Sequence, residues 1–213
     1  GRSEYLAAML SLNGSLPGGH LLNFNVTLGD KRNIADDFSP ALVNYPSDPA
    51  DIEGEWGRSR GDEEFRAVLS GVFRLPWDLT VAPIVEYGSG QPWNRRVGVD
   101  VNNDGRFSDR LPGVARNSQD GPEFFQMNLR LTKTIQLGGG DSIDLIVEGF
   151  NITDEVNYDP NSVDSAEFLS YPTVLNPAAA IVPNPNYGVY SATLPPREIQ
   201  VGAGVHGETY EIE

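Results

Sequence analysis

Hydrophobic and polar residues alternate with a period of two along much of the chain. From position 22 to 28, for example, Leu, Phe, Val and Leu at even positions alternate with Asn, Asn and Thr at odd positions. Successive side chains of a strand point to opposite faces, so this pattern predicts strands with one apolar and one polar face. Each predicted strand is about as long as a tilted strand that crosses a bilayer. The predicted strands cover residues 5–13, 20–28, 65–74, 79–87, 125–132, 143–150 and 198–205.

The connections between these strands alternate strictly between short and long. The short ones contain Pro, Gly and Asp; the long ones cover about 29–63, 88–123 and 151–196. Structureless loops of that length are unusual inside a compact domain. Short periplasmic turns and long extracellular loops are typical of outer-membrane barrels. The sequence therefore predicts an all-β fold, an antiparallel transmembrane β-barrel portion of about seven strands. The whole of 1–213 is interpreted as one C-terminal barrel segment, with further strands expected upstream because such barrels have an even number.

The alternation also predicts which side chains face lipid and which face the barrel lumen. The predicted lipid-facing residues are Phe24, Val26, Leu69, Phe73, Leu129, Leu131, Leu145, Val147, Ile199 and Val201. The predicted lumen-facing residues are Asn25, Ser70, Arg130, Asp144, Glu148 and Gln200.

Composition narrows the classes of function. The chain has 15 Lys+Arg against 30 Asp+Glu, a net charge of −15, which argues against nucleic acid as a partner. It has no cysteine, which excludes disulfides, thiolate metal sites and cysteine catalysis. The two histidines have no patterned partners, and no nucleophile elbow is present, so we expect no enzyme activity.

Five motifs follow one another at the predicted strand ends. They are YGSGQPWN at 87–94, DVNNDGRFSDRLPGVARN at 100–117, NLRLTK at 128–133, EGFNITD at 148–154 and PREIQVG at 196–202. In order and spacing, this set resembles the C-terminal barrel region of TonB-dependent outer-membrane receptors of the Oar-like kind. One departure is the sequence GETYEIE at 207–213, where such barrels end in a strand with a terminal aromatic residue. Two alternatives follow: Glu213 is not the native end, or the chain serves in a different assembly.

The resemblance implies transport across the bacterial outer membrane, at the cell surface. The expected solute is bulky, such as a glycan, a peptide or a chelate. It also implies partners: outer-membrane lipid, an N-terminal plug and barrel strands absent from this sequence, and the TonB complex indirectly. This chain would supply wall strands and ligand-contacting loops.

Aromatic and amide residues in the loops suit contact with such a solute. The candidate ligand-binding residues are Tyr87, Trp93, Asn94 and Phe107. The alternative interpretation places Trp77, Tyr87 and Trp93 in the aromatic girdles at strand ends. For Trp93 the two interpretations stay open.

The segment 100–109 matches the start of a calcium-binding loop. Oxygen side chains occupy positions one, three and five, and Gly105 occupies position six, where such loops turn sharply. Position twelve is Leu111 instead of glutamate, so Asp109 is the candidate substitute. The candidate Ca²⁺ ligands are Asp100, Asn102, Asp104, the carbonyl of Arg106, and Asp109. The alternative is a loop built from Asx-turns in which Asp109 pairs with Arg110 or Arg116.

Two other classes of protein remain open. A soluble, calcium-stabilised β-sandwich, acting as an extracellular adhesin or glycan-binding module, would equally explain the acidity and the absence of cysteine. It explains the alternation of short and long connections poorly. A structural subunit of a surface assembly is the third class, suggested by the C-terminus alone.

Overall fold

The computed structural model describes residues 1–36 and 46–207. The strands are β1 Ser3–Leu16, β2 His20–Asn33, β3 Gly57–Arg58, β4 Phe65–Leu75, β5 Leu79–Gly88, β6 Phe124–Gly138, β7 Asp141–Phe150, β8 Phe168–Ser170, β9 Val182–Pro183 and β10 Glu198–His206. A single 3₁₀ turn, Ile52–Glu55, is the helical element of these residues. None of the helical structure in the described ranges is long and apolar enough to cross a membrane.

One antiparallel sheet contains all seven predicted strands, in the order β1-β2-β4-β5-β6-β7-β10. The prediction of an all-β, antiparallel fold is confirmed. Each of these seven strands pairs with the next of the seven along the chain, and the short β3 also pairs with the end of β2. Within 1–36 and 46–207 the sheet is not closed, because β1 and β10 are its two edges.

The structure corrects the predicted bounds of the strands and loops. β2 continues to Asn33, beyond the predicted end at Leu28. Its last residues are mostly polar, but they still pair with β1, up to the pair of Asn33 with Ser3. The long segment 151–196 is not free of secondary structure: β8 and β9 pair within it. Alternation of apolar residues marks where one face is apolar, whereas backbone pairing continues wherever a partner strand is present.

Short connections join the strands at one end of the sheet. Between β4 and β5 the turn places Trp77 and Asp78 at φ angles of 64° and 55°. Positive φ is uncommon for a tryptophan, and its side chain here is 84% exposed. The turn between β1 and β2 and that between β6 and β7 use glycines at positive φ, at positions 18, 19, 138, 139 and 140. The long segments consequently emerge at the opposite end.

The strand register separates the two predicted sets of side chains. Directly opposed residues of antiparallel strands share a face. One row across the sheet runs Phe73, Val81, Leu131, Val147, Val201. The neighbouring row on the other face runs Ala82, Arg130, Glu148, Gln200. The sheet therefore has one apolar and one polar face, as the alternation predicts.

The apolar face is exposed, and no apolar core lies against it. Among the described residues, Val97 is the one buried hydrophobic residue, and it lies in a loop. On the sheet, Val201 is 80% exposed and Ile199 is 66% exposed. The polar face borders a cavity of about 410 Å³ lined by side chains of β2, β4, β5, β6 and β7, so the sheet curves toward its polar face.

Candidate functional site

The three long segments converge at the end of the sheet opposite the short turns. Isolated backbone pairs join Trp93 to Gln119 within the second segment and Arg96 to Ala166 between the second and third. We name these segments the first loop (34–36 and 46–64), the second loop (89–123) and the third loop (151–197). Because they contact one another, they form one body above the sheet.

Arg116 of the second loop is buried among groups of the first loop. Its Nε donates to the Glu55 carbonyl at 2.9 Å, and its Nη1 donates to Asp36 Oδ2 at 2.6 Å. Its Nη2 donates to the side chain and carbonyl of Asn33 at the end of β2. The neighbouring Asn117 adds an amide hydrogen bond to Asp36 Oδ2 at 2.9 Å. One guanidinium group therefore fixes the second loop onto the first.

The Asp36 carboxylate is stabilised in its charged form. Burial by itself raises its pKa, but the Arg60 backbone N–H, the Asn117 amide, the Arg116 charge and the Asn33 amide outweigh burial and lower it below the ordinary value of 3.8. Donated hydrogen bonds and a cation favour the ionised carboxylate. Asp36 is therefore the charged centre of the contact between the first two loops.

A second buried ion pair joins the same loops. Arg110 donates from Nη1 and Nη2 to the two carboxylate oxygens of Glu55, at 2.9 and 2.8 Å. Both side chains are almost fully buried, with 7% and 4% of their surface exposed. Bidentate geometry adds orientation as well as energy to such a pair.

The third loop is attached to the second by two successive arginines. Arg95 forms a bidentate pair with Glu167, at 2.7 and 2.6 Å. Arg96 donates from Nε to the Ser165 hydroxyl at 2.8 Å. Arg60 of the first loop completes the arrangement with a hydrogen bond to the Asn161 side chain.

These contacts surround a cavity of about 670 Å³ that is lined by all three loops. Its volume lies within the range of small-molecule binding sites. The residues that give it chemical character are Asp36, Arg60, Trp93, Asn94, Arg96 and Asn161. We name it the loop cavity.

Two of the four predicted ligand-binding residues line the loop cavity. Trp93 packs edge-to-face on Tyr187, with ring centroids 5.5 Å apart, and Asn94 Oδ1 accepts from the Asn117 N–H at 3.4 Å. Tyr87 instead lies in β5, with its ring 5.7 Å from that of Phe65. Phe107 is 62% exposed and outside the cavity lining. Ligand binding by these residues stays a prediction.

Sequence reasoning missed the arginines of the cavity. Arg60 and Arg96 lie in different loops, and neither belongs to a motif with a defined spacing. The one available signal was the presence of cations in loops that are otherwise rich in Asp and Glu. That signal did not specify which of the cations line the same cavity.

The backbone of segment 100–106 is wrapped around its own side-chain oxygens. Asp100 accepts from the N–H groups of Asp104 and Gly105, at 3.1 and 2.8 Å. Asn102 Oδ1 accepts from the Asp104 N–H at 3.0 Å, which confirms the predicted Asx-turn. Asp104 Oδ1 accepts from the Arg106 N–H at 2.9 Å.

Asp109 packs against this loop and leaves one oxygen unused. Its Oδ2 accepts from the N–H groups of Val101 and Asn102, at 2.5 and 3.3 Å. Its Oδ1 is buried and has no hydrogen-bond partner. Burial raises the pKa of Asp109; the two N–H groups oppose this, and the charges of Asp104 and Asp100 add to it. The predicted pairing of Asp109 with Arg110 or Arg116 is wrong, because these arginines bind Glu55 and Asp36.

Calcium binding by this loop stays a prediction. Across residues 1–36 and 46–207, no three His, Cys, Asp or Glu side chains are grouped closely enough to hold a metal ion. The buried, unpartnered Asp109 oxygen is the feature that a cation would satisfy.

No family model matches this chain, and no curated protein or solved structure matches it either. The resemblance to TonB-dependent receptors is therefore neither supported nor opposed by these comparisons. The functional interpretation depends on the geometry of the sheet and the loops.

Proposed function

We propose that this chain forms part of the wall and the extracellular loops of an outer-membrane receptor barrel of the TonB-dependent, Oar-like type. The receptor would take up a bulky solute, and the loops of this chain would contact that solute. The observation that carries the proposal is the apolar face, which is traced from β4 to β10 and has no described hydrophobic core packed against it.

An apolar face of this extent needs a non-aqueous environment. Soluble monomers rarely expose contiguous apolar patches larger than a few hundred Å². Here apolar residues follow one another in rows that cross the sheet from β4 to β10. The hydrocarbon of a bilayer accepts such a face without cost, because its tails are as apolar as leucine.

The opposite face has the character of a barrel lumen. It carries ion pairs between neighbouring strands, with Arg66 bound to Glu86 at 2.6 Å and Arg130 near Glu148 at 3.4 Å. Arg130 and Glu148 line the cavity on this face. Polar interiors and apolar exteriors are the rule in transmembrane barrels. Closure would require further strands to pair with β1 and β10.

The two ends of the sheet differ as the proposal requires. The exposed Trp77 lies at the short-turn end, where an interfacial aromatic residue anchors a strand at the headgroup level. At the other end the loops carry the ordered loop cavity. In this proposal that cavity faces the outside of the cell and receives part of the solute.

Membrane extraction tests the proposal. The native protein should stay in the membrane fraction after washing with high salt and with alkaline carbonate, and it should need detergent to be extracted. Recovery in buffer without detergent would contradict the barrel and favour the soluble β-sandwich module. A detergent-extracted protein should also unfold at a higher temperature in micelles than after detergent removal, since micelles cover the apolar face.

A further inference from the structure

Two arginines of the loop cavity have no carboxylate partner. Arg60 donates to the amide oxygen of Asn161, and Arg96 donates to the hydroxyl of Ser165 at 2.8 Å. Neither takes part in an ion pair with any residue in 1–36 or 46–207. Other loop arginines do: Arg95, Arg110 and Arg116 each bind an acid at 2.6–2.8 Å. Arg60 and Arg96 therefore differ from their neighbours in a chain that has twice as many acids as bases.

The two described acids that line the cavity are already paired with arginines. Asp36 is bound by Arg116, and Glu55 is bound by Arg110. Asp164, whose charge acts on Arg96 from outside the lining, accepts from the Ala166 N–H at 3.1 Å and the Asn184 amide at 2.9 Å and forms no ion pair with Arg96. Among the described lining residues, Arg60 and Arg96 are therefore the two cations without an ion pair.

These two charges are close enough to affect each other, and one is poorly solvated. Burial lowers the pKa of Arg96; Asp164 opposes this, and the charge of Arg60 adds to it. Two cations at the wall of one cavity that form no ion pair repel each other and lose hydration, which destabilises the empty site. A bound anion would reverse both effects. The guanidinium fork is suited to carboxylate and phosphate groups because it binds two oxygens at once.

We propose that Arg60 and Arg96 form the anion-binding part of the loop cavity, where they hold an oxyanion group, carboxylate or phosphate, of the ligand. Trp93 supplies an apolar wall beside them, and Asn94 supplies an amide. The inference rests on the proposed function in one respect: it takes the ligand of the cavity to be the transported solute. It assigns that solute to the anionic chelates or acidic glycans and peptides, and it excludes neutral sugars.

Binding of two simple probes to the native protein tests this proposal. Citrate and inorganic phosphate are titrated into the purified protein, in detergent if extraction requires it, with calorimetric detection. We expect saturable binding that weakens with added salt. Arg60→Gln and Arg96→Gln should each weaken it about 10-fold, the size expected for one charge-assisted hydrogen bond. The tighter of the two probes identifies the kind of oxyanion.

Arg95→Gln is the matched control. It removes the same charge one position away, but Arg95 is bound to Glu167 and lies outside the cavity lining. Its affinity for both probes should equal that of the native protein. Arg96→Lys, which keeps the charge and loses the fork, should bind with intermediate affinity, and it replaces Arg96→Gln if the glutamine variant does not fold.

Several results would overturn the inference. One is the absence of saturable binding for both probes; another is equal weakening by Arg95→Gln. Equal affinity for citrate and for the neutral sugar maltoheptaose would also overturn it. These results are independent of membrane extraction, so the anion site and the barrel can fail separately. A soluble protein that binds citrate through Arg60 and Arg96 would contradict the barrel alone.

Discussion

The sheet and the loop body distribute polarity in opposite ways. In the sheet, apolar side chains such as Ile199 and Val201 are exposed, and no described hydrophobic residue is buried. In the loop body, the buried side chains are mostly polar or charged, among them Glu55, Asp109, Arg116 and Asn117. A soluble domain normally buries apolar residues and exposes charged ones. Here both regions depart from that rule, each in its own way.

The difference shows that the two regions are stabilised by different forces. The sheet is held by backbone pairing between its strands and, in the proposed barrel, by the lipid that would cover its apolar face. The loop body has one buried hydrophobic residue, Val97, and depends on oriented hydrogen bonds and ion pairs. Hydrophobic burial is non-directional, whereas guanidinium–carboxylate contacts fix geometry. A binding cavity made of loops benefits from the second kind.

The strongest test of this difference is Arg116→Met. It leaves Asp36 buried without its cation, and breaking a buried pair in this way costs about 3–5 kcal/mol. Hydrogen exchange should show the first and second loops opening while β4 to β7 stay protected. Arg197→Met is the control, because its pair with Asp154 is about half exposed and is expected to contribute about 0–1 kcal/mol. Loss of protection in the strands as well would show that the two regions are not independent.

Adjacent substitutions in β7 test the two faces of the sheet. Leu145 lies on the apolar face and Ile146 on the polar face, and both lie mid-strand. Leu145→Arg should destabilise the protein in lipid by about 2–4 kcal/mol, the cost of arginine near the bilayer midplane. Ile146→Arg, a similar change in size, should cost clearly less. The measurement is unfolding by denaturant in lipid vesicles. Equal costs at the two positions would contradict a membrane-facing side.

The loop at 100–109 tests whether a metal adds a third kind of stabilisation. If Ca²⁺ occupies the unpartnered side of Asp109, chelation should increase protease cleavage near Arg106 and Arg110 about tenfold, as for a site held at ten times its Kd. Asp104→Ala should reproduce the chelated rate and leave the strands unchanged.

Asp109→Asn separates the metal from a metal-free loop. The amide oxygen can still accept from the Val101 and Asn102 N–H groups, but the buried charge is removed. With bound Ca²⁺ this variant loses the protection. In a metal-free loop the variant exchanges an unpartnered carboxylate oxygen for an unpartnered amide NH2 group, so its cleavage stays the same with and without chelator. Cleavage that is identical with and without chelator contradicts calcium binding.

Acidification gives the smallest effect, with opposite signs at two carboxylates. Asp36 has a lowered pKa in the folded protein. Its contribution to folding stability is therefore complete above pH 3.8, the ordinary value, and is lost as the pH falls through the lower pKa of the folded state. Asp109 has a raised pKa, so its contribution becomes less favourable as the pH rises from 3.8 through the folded value. Loop protection against hydrogen exchange, measured from pH 3 to 7 in the native protein and in Asp109→Asn, distinguishes the two. A profile unchanged by Asp109→Asn would contradict the assignment to Asp109.

The regular part of the molecule could be predicted from the sequence, because period-two alternation carries both strand position and face. Leu145 and Asp144 could be assigned to opposite faces from their neighbours alone. The ends of β1 and β2 could not, since polar residues such as Arg32 and Asn33 pair without an apolar pattern. Closure of a barrel could not be predicted either, because the residue pattern of one strand does not say how many strands the sheet contains.

The loop body was harder to predict because the residues that bind one another in it are distant in sequence. The sequence offered Arg110 and Arg116 as partners for Asp109, but these arginines bind Glu55 and Asp36, which lie 55 and 80 positions from them. Trp93 and Asn94 were identified by residue type, which does not depend on partners. Arg60 and Arg96 come to one cavity through the packing of three loops, which includes the backbone pair between Arg96 and Ala166.

The arginine contacts between loops act as cross-links in a chain without cysteine. Arg116 and Asn33 close a span of 83 residues, and Arg60 and Asn161 close one of 101. These contacts offset part of the entropy cost of closing such spans in the folded state; unlike a disulfide, they are lost on unfolding and do not constrain the unfolded chain. The protection of the loops should therefore be unaffected by reductant and should decrease gradually as the salt concentration rises. The Arg58–Asp120 contact, whose acid is 77% exposed, should weaken first, and the buried Arg116–Asp36 contact should weaken last.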